Sequence, residues 1–312
     1  MAVTTPRAQG GPMGRRWNRH TGLLFALPAL LLMAVFVIYP VGWTIALSLN
    51  EGRGLNFGEW VGLDNYVQLL TSDRLFLDLS QFPPSGALMN NVLWLILYPT
   101  LCVGLGLVFA TVATRVRYEA SFKALIFVPQ AIAAAAVAVI WRFVYFPSSD
   151  TGALNAALGT VGIEAVSWLG NRDTVNYAII VAAVWASTGF ALVILSAAIK
   201  GIPSEIMEAS RVDGATEWQL FRRIIVPMVS LPIAVVTVTL VINVIKLFDL
   251  IYIMTKGGPA NSSRVIGYSM FRETFEGRDG GYGAAIAVVM LLLVVPFMLI
   301  NIRRFRSEAV RS

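Results

Sequence analysis

Late in this chain an apolar run is interrupted by Asn243, Lys246 and Asp249, each three residues from the next. On a helix this spacing places them on one face. Ionisable groups at membrane depth face a cavity or each other, so two chemistries follow. Either these residues line a path for a polar solute, or Lys246 and Asp249 form a structural ion pair near the outer interface. Trp185, Phe248 and Tyr252 are aromatic candidates for the same path, with packing or interfacial anchoring as the alternative. Catalytic chemistry has little to build on. The single histidine, His20, lies in a basic N-terminal arm, and the chain contains neither an HExxH zinc sequence nor a GxxxxGK[ST] phosphate loop. Cys102, the only cysteine, excludes an intramolecular disulfide and reads as a small buried hydrophobe.

A second patterned stretch, EASRVDGATEWQLFRRIIVP, runs from Glu208 to Pro227. Pro203 suits a first helical position, and Glu205 and Glu208 follow where negative charge complements a helix N-terminus. Ile206, Met207, Ala209, Ser210 and Val212 give a mostly small, apolar surface. Asp213-Gly214 is a stop, because glycine tolerates the left-handed conformation at a helix end. After Ala215, Thr216 and Gln219 have the spacing of a capping box that starts a second helix. Phe221, Ile224 and Ile225 then share one face, Arg222 and Arg223 another, and Pro227 enters the next apolar segment. A short, capped helix-turn-helix is expected. It either rests on lipid headgroups with its arginines near phosphates, or docks into a protein cleft where small residues permit close approach and Phe or Met fills an apolar pocket.

The elements that position these residues are membrane spans. Of 312 residues 57% are hydrophobic and only 13% charged, and the apolar residues come in blocks of about 20 or more. Backbone in hydrocarbon must satisfy its own hydrogen bonds, and the blocks are too long for barrel strands, so an all-α, polytopic membrane protein is expected. Six spans are read: Gly22–Leu47, Leu88–Ala113, Ala124–Tyr145, Val175–Ile199, Met228–Ile253 and Gly283–Ile302. Pro99 and Pro129 should kink their spans, and Arg142 reads as a snorkelling anchor. Basic residues crowd the N-terminal arm, the second connection and the C-terminal tail, whereas the first and third connections are acidic. Both termini are therefore expected in the cytoplasm, together with the hairpin. The connection Thr255–Tyr282 fits less well, its four basic residues outnumbering three acids. The first span is too long for a signal peptide's apolar region and no small-residue cleavage site follows it, so it reads as permanent. The formal net charge of +6 is distributed as membrane topology requires, and no nucleic-acid partner is expected.

The patterned stretch resembles the EAA loop of binding-protein-dependent ABC importer permeases. That motif is Glu-Ala-Ala, three residues, Gly, nine residues, Ile, one residue, Leu-Pro; here it reads Glu208, Ala209, Ser210, Gly214, Ile224, Val226 and Pro227. Ser210 for Ala and Val226 for Leu are its departures. VGLDNYVQLL (61–70), MNNVLWLI (89–96), IFVPQAIAAAAVAVIWRFVY (126–145) and KLFDLIYIMTKGGP (246–259) are similar to the carbohydrate branch of these permeases. STGFALVILSAAIKGIP (187–203) and NIRRFR (301–306) are similar to permeases of the maltose/α-glucoside type.

The resemblance implies a type I ABC importer permease fold of six transmembrane helices. The first twenty residues, rich in Gly, Pro and Arg, are expected to be a mobile cytoplasmic arm (1–20), followed by a permease domain (21–306) with EAA coupling helices (203–226) and a short tail (307–312). The resemblance also implies partners: a second, homologous permease, more naturally a distinct chain than a second copy; a cytoplasmic ATPase dimer that holds ATP and Mg while this chain binds no cofactor; an external sugar-binding protein; and a sugar substrate, an α-linked disaccharide or oligosaccharide. Glu208 is expected to pair with a basic residue of the ATPase, Asp213 and Gly214 to make the turn, and Ala209, Ala215 and Phe221 to pack in its groove. A permease of this kind for a glycerophosphodiester, a stand-alone secondary transporter and an intramembrane enzyme are the competing readings. A stand-alone secondary transporter or channel gives no reason for a capped hairpin, and an enzyme has no catalytic motif in this sequence to build on.

Overall fold

The computed structural model describes residues 19–80, 82–114, 116–148 and 150–309. The expected arm thus lies outside the described residues as far as position 18, as do the last three residues of the tail. The chain divides into two units, Met1–Ala46 and Leu47–Ser312.

In the first unit, α1 (Arg19–Met33), a π-helical turn (Ala34–Ile38) and α2 (Tyr39–Leu47) follow without a break. The 24 residues Leu24–Leu47 form an apolar helix of about 36 Å, at 1.5 Å per residue, enough for a hydrocarbon core of about 30 Å.

The second unit opens with a small antiparallel pair, β1 (Asn50–Glu51) and β2 (Glu59–Trp60). Then come α3 (Asp64–Val67), which widens into a π turn (Gln68–Ser72), and α4 (Ala87–Ala113). After α5 (Glu119–Phe127) a 3-10 turn (Val128–Ala131) leads to α6 (Ala134–Val144), α7 (Ala153–Gly159) and α8 (Val175–Lys200). The chain continues through α9 (Ser204–Val212), α10 (Glu217–Leu220), a π turn (Phe221–Ile225), α11 (Val226–Met228), α12 (Ser230–Ile245) and α13 (Asp249–Met254). It ends with α14 (Ile266–Phe271), a π turn (Arg272–Glu276) and α15 (Gly280–Ala309).

The long helices α4 and α8 form the spine of this unit. With no hydrophobic drive between helices in lipid, close packing of small residues holds them together. A Cβ at Gly106 would lie 2.5 Å from that of Ala191, and the Tyr98 hydroxyl donates to Ser187 Oγ at 2.7 Å. Asn176, at the start of α8, donates to Asn90 Oδ1 (3.2 Å) near the start of α4, so the two helices run parallel. At the other end of α8, Lys200 and Lys123 both pair with the Glu119 carboxylate at the start of α5. The hairpin follows directly.

Two of the expected spans are not single helices. Ala124–Tyr145 is bent by 100° between Ala131 and Ala134. Pro129 lies in the 3-10 turn there and withdraws a backbone donor, and Ile132 and Ala133 are extended at ψ 132° and 140°. Gly189 of α8 lets this bend approach, because a Cβ there would meet Ile126 O and Phe127 Cα at 2.7 Å. Met228–Ile253 is interrupted twice. A 71° bend separates Met228 from Ser230, and α12 stops at Ile245.

The second interruption corrects the expectation for Asn243, Lys246 and Asp249. Phe248 has φ −141° and ψ −58°, and its ring turns into a cluster with Phe271 (4.7 Å) and Tyr252 (5.1 Å). Asp249 therefore starts a new helix and does not continue the face of Asn243 and Lys246. No ion pair joins Lys246 to Asp249 among the described residues; both side chains are exposed. The connection 255–282 is also more than a loop. Its buried Arg264 pairs with Glu273 at 2.7 Å, and Arg272 lies 3.9 Å from Glu276, so two of its cations are matched locally.

Candidate functional site

The hairpin is built as its residue types require, with one shift: Pro203 is the cap before α9, at φ −55° and ψ 132°, rather than its first helical residue. Helix α9 ends in a Schellman motif, in which two backbone donors beyond the helix return to its last turn. Ala215 N–H donates to Ser210 O (3.0 Å) and Gly214 N–H to Arg211 O (3.1 Å), while Gly214 takes φ +80°. Asp213 closes the helix immediately before it. Thr216 Oγ1 accepts from Gln219 N–H at 3.3 Å, and Gln219 Oε1 accepts from Thr216 N–H at 2.8 Å, completing the capping box. Arg211 Nε donates to Glu217 Oε1 at 3.2 Å across the turn. These bonds fix the angle between two short helices, neither of which would be stable alone.

The surface of the hairpin sorts into two sets. Leu220 and Ile225 are buried, and Met207, Phe221 and Ile224 pack partly on the chain's own core. Glu208, Ala209, Arg222, Arg223 and Pro227 face outward, with Ser210 and Ala215 half-buried. The apolar groups that project furthest are Val212, 87% exposed, and Trp218, 67% exposed. Trp218 stacks on Phe221 at 5.6 Å. Sequence reasoning singled out Phe221 as an anchor, gave Val212 only a share of the small apolar surface, and passed over Trp218. The available signal was position: Val212 is the last residue before the helix stop, and Trp218 lies in the first turn of the helix after it.

A second feature lies where the third span breaks. A cavity of about 300 Å³ is lined by Trp94 and Tyr98 of α4, Gln130 of the 3-10 turn, Ser187 of α8 and Asn243 of α12. Non-helical backbone at membrane depth is tolerated where it is buried in protein or lines a cavity, as the turn at Gln130 does. The Trp94 indole N–H is buried and has no hydrogen-bond partner among the described residues. Aromatic faces and a few convergent polar groups can hold a small polar, non-ionic solute by stacking and hydrogen bonds.

Of the pathway residues expected from sequence, only Asn243 lines this cavity. Trp185 packs edge-on against Trp141 at 5.7 Å, and Phe248 and Tyr252 belong to the Phe271 cluster. Lys246 and Asp249 flank the break after α12. Arg142 donates from Nη1 to Ile253 O at 3.4 Å, at the end of α13. Trp94, Tyr98, Gln130 and Ser187 were missed. Gln130, a polar residue directly after a proline in an apolar run, was the one that sequence could have flagged.

Comparison with known proteins follows the same lines. The family profile described as binding-protein-dependent transport system inner membrane component matches residues 102–302. The osmoprotective compounds uptake permease protein GgtC of Synechocystis is 42% identical over 91% of this chain and 99% of its own length. The alpha-glucoside transport system permease protein AglF of Rhizobium meliloti is 41% identical over 92% of this chain and 82% of its own length. The trehalose/maltose transport system permease protein MalF of Thermococcus litoralis is 30% identical over 92% and 95%. Among solved structures, a chain of a bacterial ABC transporter involved in the import of the acidic polysaccharide alginate superposes with a TM-score of 0.72 at 24% identity, over 91% of this chain and 96% of that one. At that identity the likeness is one of fold.

Proposed function

Because this chain belongs to the family of inner membrane components of binding-protein-dependent transport systems, we propose that it forms half of the translocation pathway of an ATP-driven importer for an α-linked disaccharide or oligosaccharide. The observation that carries the reading is the hairpin α9–α10. It is locked by a Schellman turn and a capping box, it directly follows the long span α8, and it presents Val212 and Trp218 outward. A rigid lever with an aromatic tip is what a span needs to be moved by a separate motor. The motor is a cytoplasmic ATPase dimer that carries ATP and Mg; this chain has no phosphate-cradling loop of its own.

Val212 and Trp218 seat in the groove of the ATPase, Glu208 meets a basic residue at its rim, and Arg222 and Arg223 stay at the cytoplasmic headgroups. The hairpin lies in the cytoplasm, and so do both termini. The cavity between α4, α8 and α12 is the solute path, with Asn243, Gln130 and Ser187 offering hydrogen bonds to hydroxyls and Trp94 and Tyr98 offering ring faces. A second, related permease supplies the other half, and an external sugar-binding protein delivers the solute. Domain limits at about residues 20 and 306 follow from this reading. The alpha-glucoside and trehalose/maltose relatives support the sugar class. The 42% identical permease for osmoprotective compounds favours a second reading, a compatible solute taken by the same route.

The test is reconstitution of the assembled transporter in liposomes with its binding protein. ATP-dependent accumulation of maltose or trehalose is expected, and accumulation of neither, or uptake that persists without ATP, overturns the proposal. A panel including osmoprotective solutes separates the two readings.

A further inference from the structure

We propose that the helical segment from Asp64 to Ser72 is an in-plane anchor that lies in the headgroup region of the bilayer, on the face opposite the hairpin, with Leu63, Val67 and Leu70 in the acyl boundary. The segment joins α3 to its π turn without a break. Nine residues reach only about 14 Å, so it cannot span the membrane.

One side of the segment is fixed to the protein. The buried Asn65 donates from Nδ2 to the carbonyls of Ser48 (2.9 Å) and Asn50 (3.1 Å), and Leu69 is fully buried in a cluster with Phe76, Ala87, Tyr282 and Ile286. The side left outward is not the polar surface of a solvated loop. Leu63 is 66% exposed, Val67 56% and Leu70 49%, with Trp60 at 66% just before them. Leu63, Val67 and Leu70 recur at helical spacing, while Asp64, Gln68 and Thr71, also exposed, make a polar strip beside them. Separate apolar and polar strips on a short helix are the mark of an interfacial segment.

The level at which the segment sits selects lipid as the occupant. Asp73 Oδ2, one residue past the helix, accepts from the Tyr282 hydroxyl (2.7 Å) in the first turn of α15. Ala87 N–H and Leu88 N–H, in the first turn of α4, donate to Leu75 O (2.9 Å) and Phe76 O (3.0 Å). Two spans therefore begin where this segment is tied down, and both run toward the hairpin side. The span α4 that begins at this level carries exposed apolar groups of its own at Val92 and Ile96. Trp60 supplies the aromatic group that interfaces favour. Glu59 and Asp64 flank the strip, so the attachment is apolar and not a polybasic contact with anionic lipid.

The test places a nitroxide at Leu63→Cys, Asp64→Cys, Val67→Cys, Gln68→Cys and Leu70→Cys in the assembled transporter in phospholipid nanodiscs. The native Cys102 is fully buried and stays unlabelled. Collision with oxygen should exceed collision with a water-soluble nickel chelate at 63, 67 and 70, with the ratio shifting toward nickel at 64 and 68. Nickel access at all five positions, or loss of access to both reagents at 63, 67 and 70 because another polypeptide covers them, overturns the proposal. Since labels can disturb packing, the unaltered chain is also irradiated with a phospholipid carrying a diazirine near the head of its acyl chain. Adducts within residues 60–70 are expected, and their absence there counts against the anchor. Neither readout depends on which solute is transported.

Discussion

Gly214 sits at φ +80° with nothing within 4 Å of where a Cβ would be, so substitution there is opposed by backbone conformation alone. A β-branched residue in the left-handed region costs about 1–3 kcal/mol, enough to open a hairpin held by a handful of hydrogen bonds. Gly214→Val is expected to abolish stimulation of ATP hydrolysis by the loaded binding protein in liposomes, with the melting temperature of the membrane domain nearly unchanged. Gly214→Asn, which tolerates this region, should retain most of the stimulation. Equal loss in both variants would mean that more than the turn is at stake. Arg264 makes the opposite case, where chemistry and burial decide. Its side chain is 1% exposed and bonds to Ser269 (2.8 Å) and Glu273 (2.7 Å). Arg264→Met leaves Glu273 unpaired but partly hydrated, since that carboxylate is 26% exposed. A loss of about 2–3 kcal/mol is expected, toward the lower end for broken buried pairs, and a denaturant titration of the purified permease measures it.

At the scale of elements, the breaks in the spans matter more than the spans. The 100° bend after α5 exists because Pro129 cannot continue the ladder and because Gly189 admits backbone at a distance no side chain allows. Gly189→Val must push Ile126 and Phe127 away. It should destabilise the permease by several kcal/mol, in the range of severe overpacking, and distort the cavity beside Gln130. Gly104, on the neighbouring α4, has no atom within 4 Å of its would-be Cβ. Gly104→Ala should therefore be neutral or stabilising by up to about 1 kcal/mol. Unfolding both variants in mixed micelles under increasing dodecyl sulfate compares them directly. An equal response would show that the close approach of α8 to the bend is not what holds it. The hairpin is an element of another kind: its caps fix the angle of its two helices and Leu220 and Ile225 root it in the core, which leaves Val212 and Trp218 at its tip outward for a partner.

At the scale of the whole molecule, the chain is one part of an assembly, and its outward groups report on what it meets. Trp218→Ala removes a 67% exposed ring from the tip of the hairpin. If it anchors the ATPase as proposed, association should weaken by about 1–2 kcal/mol, roughly tenfold, as measured by titrating the ATPase into the purified membrane domain. Unchanged affinity would leave Val212 as the contact or remove the hairpin from the interface. The sequence by itself determined the helical class, four of the six spans as single helices, the hairpin and its caps. Hydrocarbon admits only backbone that bonds within its own segment, and a helix stop needs glycine, so both are written in residue types a few positions apart. The tertiary structure decided what those local rules cannot reach. Phe248 leaves its helix for Phe271, more than twenty residues on, and so separates Asp249 from Asn243. Gln130 becomes part of a cavity only because Gly189 lets the bend close on α8. Met207 and Phe221 turn inward because the unit's own core takes them. Each depends on contacts between residues distant in the chain, for which periodicity carries no information.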